Sequence, residues 1–424
     1  MLTAQFIREN TQAVRDSLRA RGSDLNLDRL LDLDAQRRAL IREVEALRAE
    51  KNVASSAVAR ARDTSERERL IAAAREAGAG LDSKERDLAL LMDDFEMGLY
   101  EVPNVLDASV PFGRDESENV VLETVGDIPT FAFQPRPHWD LGEALGGIDF
   151  ERGIKMSGSR FFVLRGPLAR LHRALIQFCL DENIRAGFTE CYLPAMLTSE
   201  SLWAAGQLPK FMDNLYQDTE EDYYFSPTAE VPFVNLYRDE IIPAGELPIR
   251  LVAHTPCFRR EKMSAGRDVR GIKRVHQFEK VEMFSYCEPG DSEREFDFLV
   301  SRARTLLELL GLPYRVVQLC SGDVGFNAAR TYDLEVWSPG QDDWMEVSSI
   351  SNCRDFQARR ANIRYRTAPD APTRHPHMLN GSGLPPGRVL IGVMENYQRE
   401  DGSVEVPEAL RPYLGASVIE PPGS

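Results

Sequence analysis

From Leu30 onward the apolar positions Leu30, Leu33, Leu40, Val44, Leu47, Ala54, Val58 and Ala61 follow steps of three and four, with Arg37 and Lys51 interrupting the seam. That rhythm belongs to a helix face packed against another helix. A second run, Leu70, Ala74, Ala77, Leu81, Leu88, Leu91, Phe95 and Val102, repeats it after the polar junction RDTSERE, where Ser65 and Glu68 have capping-box spacing. The pattern predicts two helices of about 35 residues, each roughly 50 Å long, folded back into an antiparallel coiled-coil arm. VPNVLDASVPFG, with Pro103 and Pro111, ends the helical pattern and reads as a linker. The chain therefore divides into an N-terminal domain over 1–105 and a larger domain over 106–424.

Beyond the linker the rhythm changes. ARLHRALIQFCLDENIRAGF reads as a helix with Leu171, Leu175, Phe178 and Cys179 on one side and Gly187 at its end. TECYLPAML, YYFSPTAEVPFVNLY, LPIRLVAHTPCF, HQFEKVEMFSYCE, TYDLEVWSP and DWMEVSSIS are rich in aromatic and β-branched residues and read as extended segments. Little crossover-helix material lies between several of them, so the expected class is α+β, an antiparallel sheet flanked by helices.

Charge alters this picture at two places. The formal net charge is -16, yet Arg259, Arg260, Lys262, Arg267, Arg270, Lys273 and Arg274 crowd a loop between two predicted strands, opposed locally by Glu261 and Asp268. Such crowding is repulsive unless a polyanion relieves it, and guanidinium forks grip phosphate in two-pronged fashion; a triphosphate fits that requirement, and a solvated hairpin loop with ordinary surface charge is the other reading. Arg388 stands where a Gly-Pro turn enters the apolar helix VLIGVMENY and can deliver a second guanidinium on a rigid element. In the helical arm, Arg37, Arg38, Arg42, Arg48 and Arg60 belong to a basic run. They fit either the solvated outer face of a coiled coil or an arm laid along nucleic-acid phosphates.

Several classes are excluded. The glycines at 381, 383 and 387 are spaced G-x-G-x-x-x-G with prolines following, which is not a dinucleotide fingerprint, and no G-x-x-x-x-G-K-[ST] sequence is present. Six scattered cysteines form neither a disulfide framework nor a zinc site. No targeting segment or membrane-length apolar run is seen, so the expectation is a cytoplasmic protein without membrane contact, and the acidic balance argues against indiscriminate binding to DNA.

Taken in order, the Pro-containing strand around Pro194, GQLPKF, PTAEVP, the F-R-x-E loop with SAGRDVRG, EVSSISNCRDFQARR and NGSGLPPGR resemble the motifs of class II aminoacyl-tRNA synthetases. With the helical arm, the resemblance extends nearly end to end to the bacterial-type seryl-tRNA synthetase family. It implies activation of L-serine with ATP to an adenylate, then transfer of serine to the terminal ribose of tRNA(Ser) and, where it exists, tRNA(Sec), by a homodimer.

The resemblance also implies roles. Arg259, Arg388 and Glu346 would be catalytic. Arg259, Arg260, Glu261, Val275, Phe278, Glu346, Val347, Ser348, Ser349 and Arg388 would meet ATP, and Thr228, Ala229, Glu230, Glu282 and Ser382 would form the serine pocket. Glu346 and Ser349 would hold Mg2+, and the arm would grip tRNA through the arginines named above. Arg260, Lys262 and Met263 depart from the small residues usual in this loop. Two other readings stay open: a ligase of the same fold that loads a carrier protein, which the arm opposes, and a non-catalytic RNA-binding relative, which the retained Arg259, Glu261, Glu346 and Arg388 oppose.

Overall fold

The computed structural model describes residues 1–262 and 270–423. The chain forms two compact units, one built mainly from Leu2–Arg19 and Ser23–Pro103, the other mainly from Asn104 onward. Among the described residues no helix is long and apolar enough to cross a membrane.

In the first unit, α1 (Leu27–Arg60) and α2 (Thr64–Tyr100) pair over their length. Asn26 caps α1 by accepting the Arg29 N–H at 3.0 Å. The cap of α2 is Asp63, which accepts the Glu66 N–H at 2.9 Å, not the capping box expected from Ser65 and Glu68. The shorter aspartate already occupies the cap, and the Ser65 hydroxyl turns back to it. Leu30, Val44, Leu81, Phe95 and Leu99 fill the seam. Arg37 interrupts it without a void, its guanidinium lying 4.8 Å above the Phe95 ring. Arg48–Glu85 and Lys84–Glu43 pairs bridge the exposed flanks. Solvated pairs of this kind add little beside a continuous apolar seam, so the seam holds the hairpin together.

The second unit centres on an eight-stranded sheet. Its elements in chain order are β1 (Val120–Val125), α3 (His138–Ala144), α4 (Gly166–Arg185), β2 (Thr189–Glu190), α5 (Glu230–Asn235), β3 (Ile249–Phe258) and β4 (Gln277–Cys287), followed by α6 (Ser292–Leu309) and β5 (Tyr314–Gln318). They continue with β6 (Arg330–Ser338), β7 (Asp343–Asn352), α7 (Phe356–Arg360), β8 (His377–Ser382) and α8 (Pro386–Asn396). The strand order is β1-β5-β6-β7-β8-β4-β3-β2, antiparallel throughout except for the β2–β3 edge pair. Leu171, Leu175, Phe178 and Cys179 of α4, Phe296 and Leu299 of α6 and Val389 and Val393 of α8 share one apolar core with Val281 and Met283 of β4. Gly187 follows α4 at φ +96°, a conformation that releases the chain without a Cβ clash.

Two strand expectations are corrected. TECYLPAML is not one strand: pairing stops after Thr189 and Glu190 and resumes at Met196 and Leu197 in a separate two-stranded sheet, because Pro194 has no N–H for a ladder. YYFSPTAEVPFVNLY is extended only at Tyr224 and Phe225 and then becomes α5. Pro232 is tolerated there because it lies in the first helical turn, whose N–H groups have no intrahelical partner. The linker is anchored from its start: Asn104 is buried and donates to the carbonyls of Asn327 and Cys353 at 2.9 Å each.

Candidate active site

Lys280 and Glu282 alternate with the core residues Val281 and Met283, so the middle of β4 is polar on the face opposite that core, while Phe284 and Tyr286 farther along it join a second apolar cluster. Over it opens a cavity of about 430 Å3, within the usual range for small-molecule sites. Arg259 leaves the end of β3 and enters this cavity, with its guanidinium 5.1 Å from the Phe278 ring and its Nε donating to the Pro227 carbonyl at 3.2 Å. The neck of the basic loop is closed by the Arg259 N–H on the His276 carbonyl at 3.0 Å. Glu261 stands at φ +52°, a strained backbone for a residue other than glycine, with its carboxylate 3.8 Å from Arg274. Met263, Arg267 and Asp268 lie outside the described residues.

From the other side, Arg388 in the first turn of α8 donates through Nη1 to the Glu346 carbonyl at 2.9 Å and lies 3.2 Å from its carboxylate. Enclosure by the cleft works against ionisation of Glu346. Arg388 outweighs that, with Arg259 and Arg274 adding to it, and the carboxyl is held below the ordinary glutamate value. Arginines from two distant segments thus act on one carboxylate in one cavity.

Glu346 and Ser349 are three residues apart, a spacing that in a regular strand sends side chains to opposite faces. Both line the cavity because the ladder slips between them: Leu334 pairs with Ser348 and Glu335 with Glu346, leaving Val347 as an extra residue. That bulge returns Glu346 to the face of Ser349 and Ser351. The two offer a carboxylate and a hydroxyl, hard oxygens suited to Mg2+ when phosphates and water complete the shell. Among the described residues no cluster of three or more His, Cys, Asp or Glu is arranged to hold a metal by itself. Asp333, opposite Ser349, has one buried carboxylate oxygen without a hydrogen-bond partner, and burial followed by the Glu346 charge pushes it well above the ordinary aspartate value. A cation between Glu346 and Ser349 would lower the cost of ionising Asp333, so the residues fit the ion.

The inner end of the cavity is acidic. Glu230 begins α5, just after the buried Thr228, and Glu282 and Ser382 are register partners on β4 and β8. Lys280 lies 2.6 Å from Glu282. Burial raises Glu230 above the ordinary glutamate value and Glu282 adds to the rise; burial raises Glu282 also, with Lys280 opposing.

Arg259, Glu261, Val275, Phe278, Glu346, Ser349, Arg388, Thr228, Glu230, Glu282 and Ser382 all line the cavity. Four expected contacts do not. Val347 is the core-facing residue of the bulge, Ser348 donates its hydroxyl to the Ser382 carbonyl at 2.7 Å, and Ala229 is buried at the start of α5. The Arg260 side chain is exposed, while its N–H binds the Asn214 carbonyl at 3.0 Å. Residues not foreseen also line the cavity, Lys280 and Asn380 among them, and Gln357 of α7 donates to Glu230 from outside it. The QFEKVE alternation carried the signal for Lys280; Gln357 lies within the motif EVSSISNCRDFQARR, but its contact with Glu230 was not foreseen.

In the arm, Arg37 and Arg38 are engaged by the buried Asp34 at 2.9 and 3.0 Å, and Arg48 by Glu85 at 2.7 Å. Arg42 and Arg60 are exposed.

Comparison with known proteins decides the family. The model of the tRNA synthetase class II core domain (G, H, P, S and T) matches residues 211–397, and that of the seryl-tRNA synthetase N-terminal domain matches residues 1–106. The serine–tRNA ligase of Dehalococcoides mccartyi is 52% identical over 99% of this chain and 100% of its own. The chain belongs to the seryl-tRNA synthetase family. The serine–tRNA ligase of Thermomicrobium roseum is 53% identical over 98% of this chain and 94% of its own. Among solved structures, the seryl-tRNA synthetase from Pyrococcus horikoshii complexed with ATP is 37% identical with a TM-score of 0.93, covering 99% of this chain and 100% of that one. The cytoplasmic serine–tRNA ligase from Naegleria fowleri, in complex with AMP, is 30% identical with a TM-score of 0.86, covering 98% of this chain and 96% of that one. The fold is therefore that of the class II synthetases.

Proposed function

We propose that this chain activates L-serine with ATP and transfers it to tRNA(Ser), and that the cavity between β4, β7 and α8 is where both substrates meet. The observation that carries the proposal is the convergence of Arg259 and Arg388 on one cavity whose inner end is acidic. A polyanion and an ammonium-bearing substrate can then lie side by side.

In this reading Phe278 stacks on the adenine, Glu261 and the backbone near Val275 meet its edge, Arg259 holds the α-phosphate and Arg388 the γ-phosphate. Thr228, Glu230, Glu282 and Ser382 form the serine pocket, with the two carboxylates accepting from the ammonium and the hydroxyl. A substrate lacking the hydroxyl would leave a buried acceptor unpaired, which penalises alanine and glycine. The serine carboxylate attacks the α-phosphorus in line, the new P–O bond forms as the bond to pyrophosphate breaks, and no protein nucleophile is needed. Glu346 and Ser349 would hold Mg2+, which supplies neutralisation of the phosphate charge when bound. A ribose hydroxyl at the tRNA terminus then attacks the acyl carbon and AMP leaves.

The helical hairpin is assigned to tRNA, with the exposed Arg42 and Arg60 as the first phosphate contacts. The homodimer, a cytoplasmic setting and the absence of DNA or membrane partners belong to the same proposal. The deciding experiment is an amino-acid screen of ATP–pyrophosphate exchange without tRNA. Exchange with serine and not with alanine, glycine or threonine is expected; no exchange with serine ends the reading.

A further inference from the structure

His138, the first residue of α3, and Glu395, in the last turn of α8, are both fully buried (0% exposed). Glu395 accepts from the backbone N–H of His138 at 2.8 Å, from its Nδ1 at 2.9 Å, from the N–H of Gly340 at 3.0 Å and from the Ser338 hydroxyl. Both oxygens are occupied by donors, so the proton of this contact belongs to Nδ1 and the lone pair is left on Nε2. That lone pair accepts the backbone N–H of Ile272 at 3.1 Å.

Ile272 and the next three residues, Lys273, Arg274 and Val275, all line the cavity. At its opposite end, the same helix α8 carries Arg388, whose Nε donates to the Lys273 carbonyl at 3.4 Å. Adjacent residues of one loop limb are thus held from the two ends of one helix, one through His138 and one directly. Helix α3 adds two further holds: the Arg270 guanidinium lies 5.1 Å from the Trp139 ring and 3.3 Å from Asp140. Gly271 makes the approach possible, since at φ +82° a Cβ would come within 2.1 Å of His138 Nε2.

Buried as it is, His138 needs a partner for each ring nitrogen. Glu395 takes one, and the partner of the other is the backbone of the ligand cavity. We propose that His138 is a positioning residue for the nucleotide: the Glu395–His138–Ile272 chain fixes the limb carrying Lys273, Arg274 and Val275 in register with Arg388 before ATP arrives. The inference rests on reading this cavity as the ATP site. His138 does not line the cavity, so its effect on ATP is indirect and passes through the hydrogen bond to Ile272.

The test uses the full-length chain with His138→Phe, which keeps bulk but removes the acceptor, and His138→Gln, whose amide oxygen can take the Ile272 N–H. Serine-dependent pyrophosphate exchange is measured against ATP and against serine, with thermal melting alongside. The Phe variant should raise KM for ATP about tenfold while KM for serine stays within about twofold, and the Gln variant should recover most of the loss. Packing damage alone would lower the melting temperature of both variants and leave the ATP/serine ratio unmoved, which would overturn the proposal. Should the Phe variant not fold, Gly271→Ala presses on Nε2 while leaving Glu395 untouched, and the same ATP-selective rise is required of it. If wild-type protein shows no serine-dependent exchange, the functional reading has failed; if wild type exchanges and ATP KM is unmoved in the variants, only the positioning role of His138 has.

Discussion

Lys280 and Glu282 sit two positions apart on β4 with their charged ends 2.6 Å from each other, the lysine 9% and the glutamate 2% exposed. Glu230 shares their cavity. Two carboxylates and one ammonium leave a net negative charge, which a substrate ammonium can neutralise. Without Lys280 the two carboxylates would lose the larger of the two cationic influences on them, Arg259 being the other, and both would be pushed further up.

Lys280→Met should therefore weaken serine far more than ATP. An increase of about 10- to 100-fold in KM for serine is expected, with KM for ATP within about twofold. Steady-state exchange kinetics with each substrate varied in turn provides the check. Equal rises in both constants would show that the lysine supports the fold and not the pocket.

The same carboxylates set a pH dependence. Burial places Glu230 and Glu282 above the ordinary glutamate value. Between that value, about 4.3, and their raised ones, the folded free protein keeps protons that the unfolded chain has released, so rising pH lowers its stability across this window. Over the same window the ionised pocket gains affinity for the serine ammonium. The rise in Tm produced by saturating serine should grow as pH is raised from about 5 to about 7.5, and Glu230→Gln should flatten the trend. Differential scanning fluorimetry at fixed serine measures it. A serine-induced shift independent of pH would contradict the assignment.

Arg388 touches both the Glu346 carboxylate and the Lys273 carbonyl, two contacts that need a fork and not a point charge. Arg388→Ala should lower exchange about 100-fold or more, and Arg388→Lys should regain little of it. Restoration of near wild-type rates by lysine would mean that charge alone suffices and that the geometry at Glu346 is incidental.

How much of this was open to inspection in the sequence depended on whether the signal was local. The hairpin was legible because Leu30, Val44, Leu81 and Phe95 obey a single period and bury as that period requires. The basic loop was legible because its cations are crowded in sequence and outnumber the acids beside them. The pairing of Glu346 with Ser349 came from the resemblance and not from periodicity, since strict alternation separates them and the bulge at Val347 depends on pairing with β6. Glu230 was read on a strand because its neighbours are β-branched and aromatic; tertiary packing of Val231, Phe233 and Val234 turns them into a helix instead. His138 carried no local signal, because its partners at 272 and 395 are distant in sequence.

Under the proposed function the hairpin serves the second half-reaction and not the first. Arg48 meets Glu85 across it, so deleting residues 49–84 and closing the ends with a short Gly-Ser turn removes the distal half at a point where the helices already face each other. Every residue lining the cavity lies outside that deletion. Exchange should stay within about twofold of wild type, while charging of tRNA(Ser) falls about 100-fold or more, because lost phosphate contacts weaken tRNA without touching the adenylate site. The loss should come with a shallower salt dependence of tRNA binding, measured by filter retention between about 50 and 200 mM salt. Charging that survives the deletion would return the arm's arginines to the solvated face of a coiled coil and leave tRNA recognition to the rest of the chain.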